Sequence, residues 1–223
     1  MAKILGLSRD ELATFLKSPH QIKQFEQLFL KADTSSTDVT QLTAQVNDLA
    51  QDVGDINLSL ASINTQITNI NTQIQRYVGS FYDTTTQTAA AANTATTMTF
   101  NTTDVSQGVS IGTPTSRVYV NATRMYNIQF SAQFDNTTGG SHLAYVWLRV
   151  NGFDVPQTGF QIRLKGTDGE LVAAWNFFYT LSANDYFEIM WSVADVAVQL
   201  TASAAAAPVP AIPSVILTCF NVT

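Results

Sequence analysis

Stepping along the chain by three and four residues in turn from Val39 reaches Leu42, Val46, Leu49, Val53, Ile56, Leu60, Ile63, Ile67, Ile70, Ile74 and Tyr77, every one apolar. A hydrophobic repeat of 3.5 residues held this long leaves few folds open. It predicts one long helix whose narrow stripe meets other helices, wound with a left-handed supercoil. At a rise of ~1.5 Å per residue the stretch is about 58 Å long. The residues between are mostly Thr, Gln, Asn, Asp, Ser and Ala, so the rest of the helix is largely polar. The a positions read Val, Val, Val, Leu, Ile, Ile and the d positions Leu, Leu, Ile, Ile, Ile, Tyr. Ile at d disfavours the parallel dimer, and Ile at both positions favours three strands. Leu60 with Ile63 alone would suit four. The e and g positions carry no opposed charges to choose a partner. The expectation is a parallel homotrimeric coiled coil. The competing reading packs the helix on its own chain, but no second long helical pattern exists to cover it.

Charge and aromatic content shift on either side of this run, which divides the 223 residues into three expected domains: 1–34, 35–79 and 80–223. Their net charges are +1, −3 and −4, within a total of −6. A net acidic chain with only 13% charged residues is not the profile of a nucleic-acid binder. Residues 1–34 read as two short helices. Ser8 and Glu11 have capping-box form, and Ser18-Pro19 reads as an N-cap followed by proline at the first helical position. Ile22, Phe25 and Phe29 form one stripe, widened by Leu28. Helices this short bury too little to stand alone, so the stripe is read as a docking element for another protein, against the alternative of a cap folded onto the next helix. No apolar run is long enough to span a bilayer. Ser8 to Glu11 interrupt the apolar start, so a signal peptide is not expected.

The third region changes period from 3.5 to 2. Tyr126, Ile128, Phe130, Ala132 and Phe134 alternate with mostly polar neighbours, as a half-buried strand should. Residues 142–150 place Tyr145, Trp147 and Arg149 on one face of another strand. Residues 118–120, 171–181, 186–193, 197–202 and 214–222 complete the set, with edge strands possible in the Thr-rich 84–99 stretch. Asn151-Gly152 and Asp168-Gly169 are hairpin signals. Eight to ten strands predict an antiparallel sandwich or jelly roll.

No nucleophile motif, phosphate loop or zinc spacing is present, so no catalytic, cofactor or metal residue is assigned and an enzyme is not expected. His20 reads as an exposed helix position. Cys219 reads as a buried thiol. Trp147, Trp175 and Trp191 read as core rather than as a sugar-stacking platform.

The order Tyr126-x-x-x-Phe130-Ser131, Asn151-Gly152, Leu181-x-x-x-Asp185-Tyr186-Phe187 and Pro213-Ser214-Val215-Ile216-Leu217 resembles the C1q/TNF-like jelly roll. The collagen repeat common in that family is absent. A head of this kind behind Asn/Gln/Thr-rich heptads resembles bacteriophage fibre and needle proteins, and Phe25-Glu26-Gln27-Leu28-Phe29 resembles their N-terminal anchors. The resemblance implies an α+β modular chain: short N-terminal helices, a trimeric coiled-coil stalk and a jelly-roll head. It implies a virion fibre made in the host cytoplasm, docked on capsid or tail proteins through residues 1–34, with a head that meets a host receptor or glycan. A capsid-decorating head fibre or a tail needle is the structural alternative. It also implies that both ends of the head lie near the stalk. Alternation of strand direction then places Asn136, His142, Asn184 and Pro208 at the far tip.

Overall fold

The computed structural model of the chain describes residues 9–16 and 18–222. Ser8, the expected cap, lies outside the described residues. The chain divides into two compact units between Asn71 and Thr72.

In the first unit, α1 (Arg9–Phe15) precedes α2 (Pro19–Ile74), a single helix of 56 residues. At ~1.5 Å per residue α2 is about 84 Å long. Its start is the one expected: the Ser18 carbonyl accepts the Ile22 N–H at 3.1 Å, and Pro19 stands where a backbone donor would be orphaned anyway. The second short helix and the stalk are therefore one element, with no break at residue 34. The physical reason is that Asp33 to Thr37 contain no Gly or Pro. The hydroxyls of Thr34, Thr37, Thr40 and Thr43 donate to carbonyls four residues back at 2.9–3.1 Å, so each is satisfied inside the helix instead of by a competing turn. α2 ends at Ile74, short of the expected limit of 79.

The second unit is an antiparallel sandwich of fourteen described strands: β1 (Val78–Asp83), β2 (Gln87–Thr88), β3 (Thr96–Thr97), β4 (Thr102–Gln107), β5 (Val109–Ile111), β6 (Val118–Val120), β7 (Arg124–Asn136), β8 (Ser141–Val150), β9 (Phe153–Asp154), β10 (Phe160–Lys165), β11 (Leu171–Leu181), β12 (Tyr186–Val193), β13 (Val198–Leu200) and β14 (Val215–Asn221). The first sheet runs β11–β7–β14–β1–β4, with β13 beside the last residues of β7 and β2 beyond β13. The second runs β10–β8–β12–β6–β5. Among the longer strands, β1, β14, β7 and β11 share one sheet, while β6, β12, β8 and β10 share the other. That interleaving of early and late strands is the double Greek key of a jelly roll.

The alternation seen in the sequence sets the core. Tyr126, Ile128, Phe130, Ala132 and Phe134 face inward from β7, against Val146 and Leu148 of β8 and Phe187, Ile189 and Trp191 of β12. Phe134 meets Trp191 edge-on at 5.9 Å between centroids, a favoured aromatic arrangement. Asn151 and Gly152 form the expected two-residue hairpin, both at positive φ, joining Val150 to its partner Phe153. Asp168-Gly169 makes no hairpin. The strands flanking it, β10 and β11, lie in different sheets, so this turn carries the chain across the sandwich.

Candidate functional site

The heptad residues stand on one side of α2 and are open. The eleven from Val39 to Ile74 are 49–67% exposed. Tyr77, expected as the last seam position, is not on the helix. It packs on the β core, its N–H donates to Asn221 Oδ1 at 2.7 Å, and its carbonyl accepts the Asn221 N–H at 3.0 Å.

The docking stripe divides. Ile22 is buried within its own chain, so it offers nothing to a partner. Phe29 is half-buried, its ring 5.7 Å from that of Phe25, while Phe25 and Leu28 are exposed.

The sandwich has a second open surface, uncharged and of mixed polarity. On the outer side of the first sheet, Phe178, Asn127, Phe220 and Val78 form one cross-strand row. Asn176, Gln129, Thr218 and Ser80 form the next, then Ala174, Ser131, Ile216 and Tyr82. None of these twelve residues is charged. Phe178 is 59% exposed. Asn127 is buried between its neighbours, and its Oδ1 has no donor among the described residues.

The expected tip residues separate. Val78 pairs with Phe220, so the head does begin and end together. Asn136 and His142 lie at the opposite end of the sandwich. His142 Nδ1 is 3.7 Å from Asp195 Oδ2, and its Nε2 is 3.2 Å from the Gly139 carbonyl oxygen. Asn136 is fully buried. Its amide donates to the Gly166 carbonyl at 2.8 Å, so it ties two loops together and is not a contact surface. Pro208 is exposed in a finger closed by the bridges Ser203↔Ile212 and Ala206↔Val209, which leaves the sheet beside Asp83 and Val215. Asn184 lies at the wrong end. It follows Leu181, which pairs with Arg124 at the Val78 end of β7. β10 causes the reversal: it is a full traverse of the sandwich that the alternation from strand to strand had to include. Its Phe160, Ile162 and Leu164 alternate with Gln161, Arg163 and Lys165, so that signal stood in the sequence.

Cys219 is buried as expected, and burial pushes its thiol far above the ordinary range. Only Trp191 of the three tryptophans is in the core. Trp175 is 56% exposed and stacks on Phe160 at 5.4 Å. Trp147 lies half-buried on the outer face of the second sheet. His20 is exposed. Among the described residues, no three His, Cys, Asp or Glu side chains are grouped to hold a metal ion, and no helix is long and apolar enough to cross a membrane.

No protein-family model matches the chain, and no curated protein matches it in sequence. Among solved structures it is similar to the globular domain of zebrafish complement 1qA protein, at 13% identity and a TM-score of 0.44, over 67% of this chain and 98% of that one. It is also similar to murine APRIL at pH 8.5 (11% identity, TM-score 0.44) and at pH 8.0 (13% identity, TM-score 0.43). Both comparisons cover 66% of this chain and 100% of APRIL. The jelly roll itself rests on the strand order and not on these scores.

Proposed function

We propose that this chain is a C1q/TNF-like, homotrimeric virion fibre that acts by binding and not by chemistry. One observation carries the reading: eleven apolar residues at 3.5-residue spacing lie half-exposed or more along a single helix. A contiguous apolar stripe of that length is an association surface. Ile at both a and d in its second half favours three copies. The open, uncharged face of the first sheet supports the same assembly. A threefold neighbour there would cover Phe178 and Phe220 and supply a donor to Asn127. Phe25 and Leu28 remain exposed for docking to capsid or tail proteins. The head then meets the host surface, and many trimers on one particle multiply a weak contact.

Sedimentation of the full chain tests the assembly. A mass of three times 24.3 kDa is expected, and a monomer or dimer at micromolar concentration overturns it. Labelling the chain on intact particles tests the location: a signal at the outer surface is expected, and absence from particles overturns the virion reading.

A further inference from the structure

The outer face of the second sheet carries a groove that self-association through the first sheet leaves open. Tyr145 and Trp147 point outward two residues apart on β8, about 7 Å along the strand. With Gly159, Phe160 and Gln161 they line a groove of ~440 Å³, within the range of small-molecule sites. The indole N–H of Trp147 donates to Asp154 Oδ1 at 2.7 Å, and Arg149 Nε donates to the same oxygen at 2.7 Å. This clamp fixes the indole plane before any ligand arrives, so little side-chain entropy is lost on binding. It also uses up the indole donor, so the ring offers a ligand only its face. The Arg149 charge is paired with Asp154, and none of the described residues lining the groove is a cation that would select a phosphate or carboxylate.

Polar groups stand beside these rings. Gln161, cross-strand from Tyr145, is exposed and brings an amide that both donates and accepts. The Tyr145 hydroxyl does the same. Gly159 keeps the groove open. A side chain there would begin 3.9 Å from Trp147 Cβ, at ordinary contact distance, with a backbone conformation any residue can adopt.

We infer that this groove binds a neutral pyranose, with the sugar's apolar C–H face on Tyr145 and Trp147 and its hydroxyls on Gln161. A hexose suits the site because it presents one hydrogen-rich apolar face and a rim of hydroxyls, and carries no charge to be matched. The inference rests on the host-contact reading for where such a sugar is met.

The test is a nuclear magnetic resonance titration of the full chain with methyl glycosides of glucose, galactose, mannose and N-acetylglucosamine. The Trp147 indole N–H is assigned by its loss in Trp147→Phe. At least one glycoside should move that signal saturably at millimolar concentration, with saturation transfer strongest to the sugar's C–H protons. Gly159→Phe should fill the groove and weaken binding by roughly tenfold or more, equivalent to about 1.4 kcal/mol, while the melting temperature holds. The inference is overturned if no glycoside moves the signal, or if Gly159→Phe binds as well as the parent chain. Sedimentation of the same sample keeps the two proposals apart. A trimer that ignores every sugar defeats the groove alone, whereas a monomer that binds sugar defeats the fibre alone.

Discussion

Tyr126 joins burial to a measurable pH dependence. Its side chain is fully buried and its hydroxyl donates to the Ala122 carbonyl at 2.9 Å. Burial, helped by the nearby Cys219 and Tyr77, pushes the phenol from 10.0 up to about 12. A group whose folded value is raised contributes stability that is full below the unfolded value and lost as pH climbs through the folded one. Stability should therefore fall between pH 10 and pH 12. Tyr126→Phe should flatten that loss in denaturant unfolding series across the window. An unchanged slope in the variant would assign the alkaline loss to other groups. The inward place of Tyr126 was legible from its alternation with Ile128 and Phe130. The size of its perturbation was not, because complete burial of the phenol depends on strands distant in sequence that close over it.

At the scale of elements, α2 was the most legible part of the chain, because a repeat along one helix needs no knowledge of the fold. Ile63→Asp, Ile67→Asp and Ile70→Asp together should abolish assembly, since three carboxylates per chain would enter a seam with no partners. Sedimentation checks this, and survival of the same oligomer would show that the head alone sets the number of copies. Gly54 lies inside α2 at a b position, with nothing within 4 Å of where a Cβ would stand. Gly54→Ala should stabilise the helix by about 0.5–1 kcal/mol per chain, seen as a higher midpoint in far-ultraviolet thermal melts. The strands were legible where they were long. β11 and β12 have the expected bounds, whereas the six residues of β10 between two turns went unread and carried Asn184 to the wrong end.

For the whole molecule, the open face of the first sheet makes a prediction that separates a lone sandwich from an associated one. In a single chain Phe178 is largely exposed, so Phe178→Asp should cost under ~0.5 kcal/mol, as surface changes do. In a trimer joined through this face, the same change buries a charge with no partner in an uncharged contact, at a cost of about 2 kcal/mol or more per copy. Calorimetry of the full chain should therefore show the head melting several degrees lower while sedimentation still reports three chains held by the seam. An unaltered head transition would mean that this face stays in water.

Local periodicity determined the long helix, its Ser18-Pro19 start, the alternating strands of the head and the Asn151-Gly152 turn, because each depends on residues within a few positions of one another. Tertiary structure alone decided the features that depend on pairing across long separations. It sent Asp168-Gly169 from one sheet to the other, took Tyr77 off the helix and buried Asn136. It also left Trp191 in the core while Trp147 came to stand on an open face. Those outcomes turn on which strands become neighbours, and a strand's own residues do not specify its neighbour.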